Sequence, residues 1–335
     1  MTVRWGIIGC GNVTEVKSGP AFHKVEGSTL VAVMRRRGDL AADYARRHGV
    51  ARWYDDAAAL VADAEVDAVY IATPPGEHER LAALVCAARK PAYVEKPMAR
   101  NHAECVRMVE AFAAARVPLF VAYYRRGLAR FRKARELVTS GALGTLTGVS
   151  YRFAGPYHRG VPADAAALPW RLQAEHSGGG LFLDLGCHTL DVLDFVLGPL
   201  PLAHVHGDAA NVASAHAVED SVAMSFRTAS GALGTAQWSF ASAERIDQIV
   251  VAGERAELRL STFGNEPVEL PNPPHIQQPL IHSIVDELHG RGRCESTGVS
   301  AARTQAVIDA VLRGYYGTRD DGFWGSPEAW PGLRR

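Results

Sequence analysis

The first third of the sequence predicts an α/β fold built on a parallel sheet. Short apolar runs rich in β-branched residues alternate with amphipathic stretches. The links between them are short, as in right-handed strand–helix–strand units. A glycine turn follows the first run, where such folds often hold a nucleotide.

Residues 3–8 read as a buried strand. Gly9-Cys10-Gly11-Asn12-Val13-Thr14 then supplies the turn into a helix. Gly9 permits the tight bend, and Gly11 lets the backbone approach a pyrophosphate, with Asn12 and Val13 opening the helix. The third glycine of a full dinucleotide fingerprint is replaced by Thr14, so an ordinary strand–helix turn stays open as the alternative. Residues 30–34 are a second strand and 39–48 a helix closed by Gly49. A short helix at 56–63 precedes a strand at 68–73, which ends at Pro74-Pro75. A helix at 78–89, a strand at 92–95, a helix at 102–115 and a strand at 119–122 complete the alternation. Ligands of such sheets bind beyond the carboxyl ends of strands. Residues 9–11, 73–75 and 95–97 lie at those ends.

Cofactor choice is read after the second strand. An acidic residue there holds the ribose 2′-hydroxyl of NAD. This chain has Met34-Arg35-Arg36-Arg37 instead. Guanidinium groups at Arg35 and Arg36 suit a 2′-phosphate, so NADP is expected, with NAD the alternative. Asp39 is expected to cap the following helix.

Composition sets the outer limits. The 335 residues suggest two domains or one large one. Hydrophobic residues make up 47% and charged residues 21%, enough for a real core. Thirty-six basic and 36 acidic residues cancel, which argues against gripping nucleic acid or an anionic membrane. Of the basic residues 31 are arginine and 5 lysine, so a lysine at an informative place stands out. Five scattered cysteines without a C-x-x-C pair fit reduced thiols and a cytoplasmic protein. The first residues lack the length of a secretory apolar segment, and no apolar run is long enough to span a membrane. No metal is expected, because the 13 histidines form no ligand spacing; His204 and His206 are expected to alternate on a strand surface.

Two later motifs carry more. Glu95-Lys96-Pro97 ends a strand, and Ser177-Gly178-Gly179-Gly180 leads to Asp184 and, four residues on, His188. That spacing places the last two on one face of a helix. With the glycine turn, with Ala72-Thr73-Pro74-Pro75 and His78, with Pro169-Trp170-Arg171, and with Val218-Glu219-Asp220, the chain resembles the glucose–fructose oxidoreductase/inositol dehydrogenase (Gfo/Idh/MocA) family over nearly its whole length.

The resemblance implies an N-terminal Rossmann domain, residues 1–122. It implies a substrate-binding and oligomerisation α+β domain, 123–335, with an open, mostly antiparallel sheet. Strand-like stretches at 146–153, 203–211, 221–226, 233–239 and 248–252, and helices at 279–290 and 300–316, agree with this. The family moves a hydride between a nicotinamide and a carbinol or ketone carbon, most often of a sugar, cyclitol or related polyol. In that chemistry His188 matches the acid/base, Lys96 the cation beside the carbinol oxygen, and Asp184 the carboxylate that binds a hydroxyl or orients the histidine. Thr73, Pro74, His78, Glu95, Trp170 and Arg171 match cofactor positions. Tyr124, Arg125, His275 and Gln277 are expected around the substrate. Tyr123-Tyr124-Arg125-Arg126 departs from the family's more usual asparagine-containing segment. The open sheet implies a homodimer or homotetramer. Two alternatives are a reductase of another cyclic substrate, of dihydrodiol or tetrapyrrole type, and a non-catalytic NADP-binding regulator.

Overall fold

The expected alternation folds as β1 (Val3–Ile8), α1 (Asn12–Val16), α2 (Gly19–Lys24), β2 (Ser28–Met34), α3 (Gly38–His48), β3 (Arg52–Tyr54), α4 (Ala57–Ala62), β4 (Ala68–Ile71), α5 (His78–Ala87), β5 (Ala92–Val94), α6 (His102–Ala115) and β6 (Leu119–Val121). The computed structural model describes residues 2–157, 161, 167–214, 216–264 and 270–317. The described residues divide into two units. The first takes those of Met1–Ala99, Glu104–Leu128 and Asn272–Ala302; the second takes those of Arg100–Ala103, Ala129–Pro271 and Arg303–Arg335.

In the first unit six strands form one parallel sheet in the order β3-β2-β1-β4-β5-β6. A sheet covered on both faces needs apolar residues on both, and β4, β5 and β6 are buried throughout. Trp5, Phe22, Tyr70 and Tyr93 form a continuous aromatic cluster, with centroids 5.0 Å apart for Trp5–Phe22 and 4.8 Å for the stacked Tyr70–Tyr93 pair. The strand order reverses between β1 and β4, which opens a crevice at the carboxyl ends. Gly49 closes α3 at φ +66°, as expected. Asp39 does not cap that helix. It lies in the first turn, and its carboxylate binds the Arg37 guanidinium at 2.7 Å. Strand β3 escaped the sequence because three half-exposed residues carry no periodicity.

The second unit contains α7 (Ala129–Thr139), β7 (Leu146–Pro156), α8 (Ala174–Ser177), α9 (Cys187–Leu197), β8 (His206–Ala210), β9 (Ser221–Arg227), β10 (Leu233–Ser239), β11 (Ala241–Gly253) and β12 (Glu257–Leu260). Helix α10 (Gln278–Leu288) belongs to the first unit, and α11 (Gly298–Tyr316) gives its residues from Arg303 onward to the second. The strands form a mixed sheet, β12-β11-β7-β10-β9-β8, antiparallel except for β10 beside β7. Strict alternation of buried and exposed residues on β9 and β10 puts one face toward the core. The strand expected at 203–211 is shorter. Pro201 starts a 3₁₀ turn, Leu202–His204, so His204 and His206 do not alternate on one strand, although both are exposed. Strand β11 starts earlier than expected, because the mostly polar stretch 242–245 hides its pattern and a register shift against β7 absorbs it.

Candidate active site

One set of candidate residues lies at the carboxyl edge of the parallel sheet. Gly9 N–H donates to Met34 O at 2.9 Å, turning the chain sharply out of β1. Its φ is +91°, and a Cβ would stand 2.9 Å from the Ala72 carbonyl oxygen, so glycine is required twice over. Gly11 precedes α1, and a Cβ there would meet only Gly9 O, at 3.8 Å. That side of the turn is open to an approaching phosphate. Thr14 is buried, and its hydroxyl donates to Gly11 O at 2.8 Å, locking the turn from below. The close approach a third glycine would allow occurs instead at Gly19, whose Cβ position lies 2.2 Å from Thr14 O. Thr73 Oγ1 is buried at the end of β4 with no hydrogen-bond partner. A dinucleotide fits these residues: an open glycine turn and an unsatisfied hydroxyl at the switch point. Asn12 is exposed, Val13 half-buried, and Pro74 leads into a 3₁₀ turn, Pro75–Glu77.

Arg35 and Arg36 are exposed at the end of β2. Burial pushes the Cys10 thiol up to about 11, and Arg35 pulls the other way, which places its charge near the glycine turn. Beside them Glu15 on α1 binds Arg47 at 2.7 Å and His48 at 2.7 Å on α3. Its hydrogen bond to Arg47 is the main reason that its pKa falls to about 2.

Lys96 is half-buried just past β5. The turn that carries it is fixed by the buried Glu95 carboxylate, which accepts from Lys96 N–H at 3.1 Å, Tyr70 OH at 2.5 Å and the Gln277 amide at 2.7 Å. His78 is fully buried. Its Nε2 lies 2.8 Å from Thr73 O, and its Nδ1 lies 3.1 Å from Pro97 O and Met98 O. It therefore ties the Thr73 turn to the lysine turn. Burial lowers its pKa, against the opposite pull of the carbonyl oxygens at both ring nitrogens. Tyr124 and Arg125 follow β6, both buried, the guanidinium 4.8 Å from the tyrosine ring centroid. His275 Nδ1 lies 3.0 Å from Val16 O, and Gln277 is buried just before α10. Tyr70, Tyr93 and Ser18, which complete this edge, were not singled out in the sequence; buried tyrosines on adjacent strands were the available signal.

A second set of candidate residues lies in the second unit. Asp184 and His188 do not share one regular helix. Phe182–Gly186 is a π-turn, and α9 begins at Cys187. The Phe182 ring lies over Gly186, where a Cβ would stand 2.4 Å from it. Phe182 also packs edge-on to Trp238, centroids 4.8 Å apart. The Asp184 carboxylate binds Arg171 at 3.1 Å, and that guanidinium lies 4.3 Å from the Trp170 ring centroid. Arg171 thus meets the carboxylate directly, and Trp170 meets the guanidinium. His188 is 5% exposed and stands edge-on to Phe263, centroids 5.7 Å apart.

Two carboxylates hold these residues: Asp247, not singled out in the sequence, and Glu219 of the Val218-Glu219-Asp220 motif. Asp247 on β11 accepts from the Thr262 and Phe263 N–H groups at 3.0 and 2.6 Å, which fixes the segment beside His188. Glu219 is fully buried and accepts from Gly180 N–H at 2.9 and 3.0 Å, Phe182 N–H at 3.3 Å and Tyr316 OH. It anchors the glycine run that leads into the π-turn. Among the described residues, no group of three or more His, Cys, Asp or Glu is placed to hold a metal ion. Nor is any described helix long and apolar enough to cross a membrane.

Residues 3–123 match the model of the oxidoreductase family with an NAD-binding Rossmann fold, and residues 131–259 match the Gfo/Idh/MocA C-terminal domain. The chain is similar to Oxidoreductase P35 of Formosa agariphila, 37% identical, over 94% of this chain and 99% of that protein. It is 26% identical to 1,5-anhydro-D-fructose reductase of Ensifer adhaerens, over 93% and 97% of the two chains. The WlbA dehydrogenase of Bordetella pertussis, solved with NADH and UDP-GlcNAcA, shares the fold with a TM-score of 0.80, at 23% identity over 93% of this chain and 95% of that one. The chain belongs to the Gfo/Idh/MocA family of NAD(P)-dependent oxidoreductases.

Proposed function

We propose that the protein is an NADP-dependent oxidoreductase that moves a hydride between the nicotinamide and a carbinol or ketone carbon of a sugar, cyclitol or related polyol. The observation that carries this reading is Lys96, half-buried at the carboxyl end of β5 on a turn that a buried carboxylate fixes. In a chain with only 5 lysines, a compact ammonium stands where a planar guanidinium would serve poorly. Asp184 and His188 match the rest of the family's reacting set.

Bound NADP supplies the hydride acceptor or donor. In oxidation the carbinol carbon loses a hydride, and the hydroxyl proton passes to the His188 imidazole. The Lys96 ammonium stabilises the charge that develops on the carbinol oxygen. Asp184 accepts a hydrogen bond from a neighbouring substrate hydroxyl, with Arg171 bracing the carboxylate from the other side. Reduction of the ketone runs the same transfers backwards.

The test is a panel of sugars, inositols and keto-sugars, followed at the absorbance band of the reduced nicotinamide. Turnover of at least one polyol or keto-sugar is expected. Lys96→Ala and His188→Ala should each lower kcat by about 10²–10⁴-fold. Full activity in both variants would overturn these roles.

A further inference from the structure

We propose that Gln277 is a positioning residue for Lys96, acting through Glu95. This goes a step past the reading above and rests on its identification of Lys96 as the reacting lysine. The side-chain amide is buried between two partners of opposite demand. Its Oε1 accepts from Tyr93 OH at 2.8 Å, and its Nε2 donates to Glu95 Oε1 at 2.7 Å. The amide cannot be reversed, because Oε1 would then face a carboxylate oxygen. Tyr70 OH donates to the same Glu95 oxygen at 2.5 Å, which leaves Oε2 to accept the Lys96 N–H at 3.1 Å. One oxygen is pinned from β4 and from the residue that precedes α10, and the other holds the lysine's own peptide.

The backbone of Gln277 adds a second tie. Its N–H donates to Lys17 O at 3.3 Å, just past α1, and His275 Nδ1 lies 3.0 Å from Val16 O. A single residue therefore joins the helix that follows the glycine turn to the turn that carries Lys96. Deep burial makes the arrangement demanding. A buried amide or carboxylate that loses its partner costs more than the hydrogen bond was worth. The relief available to Glu95 without Gln277 is to rotate, and that releases the Lys96 peptide. The titratable groups facing this network are Tyr70, Tyr93, Tyr124, Cys294 and His78, whose ring feels the Glu95 charge.

The test reads Lys96 itself and needs no identified substrate. Wild type, Gln277→Leu, Gln277→Glu and Tyr93→Phe are acetylated with a water-soluble N-hydroxysuccinimide acetate over a range of pH. Lys96 modification is then quantified by peptide mass spectrometry. Gln277→Leu should acetylate Lys96 at least about threefold faster than wild type at every pH, the scale of one lost hydrogen bond. Gln277→Glu has the same size. Protonated, the new carboxyl donates to Glu95 and accepts from Tyr93 as the amide does; ionised, it repels Glu95. Burial and the neighbouring Glu95 carboxylate both raise the pKa of the new carboxyl, so its Lys96 should follow wild type at the low end of the pH range and depart from it as the pH rises. A purely structural role gives no such crossover. Tyr93→Phe removes one contact from the edge of the network and should fall between Gln277→Leu and wild type. It keeps the test decisive if Gln277→Leu does not fold.

Lys96 reactivity equal to wild type in the folded variants would overturn the proposal. If the variants separate as expected and wild type turns over no member of the polyol panel, positioning stands and the polyol reading falls. If a substrate is found, Gln277→Leu should lower kcat while leaving KM within about threefold.

Discussion

Glu219 shows how much one residue can carry. Its carboxyl lies wholly inside the second unit, held by two backbone N–H groups and the Tyr316 hydroxyl. Those donors favour the charged form, yet burial outweighs them and pushes the pKa from 4.5 up to about 7. The folded chain thus holds the proton more tightly than the unfolded chain. The stability from this group is complete below about pH 4.5 and is lost as the pH rises through about 7, at most about 3 kcal/mol across the interval. Denaturant unfolding of wild type and Glu219→Gln at a series of pH values isolates the effect. The advantage of wild type over the variant should shrink as the pH rises through that window. A constant difference, or one that grows, would show that the carboxylate and its donors prevail over burial. Glu15 behaves in the opposite sense. Arg47 lowers its pKa to about 2, so its contribution is present at neutral pH and disappears in acid.

At the scale of elements, the glycine turn separates two costs that a sequence cannot. Gly9 and Gly49 both have positive φ, +91° and +66°. A Cβ on Gly49 meets nothing within 4 Å, whereas on Gly9 it meets Ala72 O and Thr73 Cγ2, each at 2.9 Å. Gly49→Ala should therefore cost about 1 kcal/mol, the backbone conformation alone, and Gly9→Ala about 2–4 kcal/mol, measured by denaturant midpoints. Gly9→Ala should also weaken NADPH binding; Gly49→Ala should not. The same contrast explains what was legible. The parallel sheet could be read because its buried strands are continuous apolar runs bounded by turn residues. Strands β3 and β12 could not, because they are short and half exposed. The motif residues Lys96, Asp184 and His188 stand out by spacing. Tyr93 and Asp247 do not, and Gln277 and Glu219, though named in the sequence, show none of their partners there, because these contacts span up to 184 residues of sequence. The π-turn was hidden for a related reason. A four-residue spacing looks the same whether or not the helix widens.

For the whole molecule, net charge is zero and arginine supplies 31 of 36 basic residues, so an arginine at any one position says little by itself. Position has to discriminate. Arg37 is bound to Asp39 on the surface. That pairing engages the first carboxylate in sequence after the end of β2. Arg35 and Arg36 stand exposed there, and a 2′-phosphate would gain charge-assisted hydrogen bonds from them. The preference can be measured without a substrate, because a ligand that binds only the folded chain stabilises it by RT ln(1 + [L]/Kd). At a hundredfold excess over Kd this is about 2.7 kcal/mol. For a unit of this size that raises Tm by roughly 5–10 °C. At equal concentrations NADPH should raise the Tm of wild type more than NADH does. In the Arg35→Ala/Arg36→Ala double variant the NADPH shift should fall to the NADH level, while the NADH shift stays where it was. If NADH stabilises wild type as strongly as NADPH, the two guanidiniums are a solvated turn, and the enzyme works with NAD.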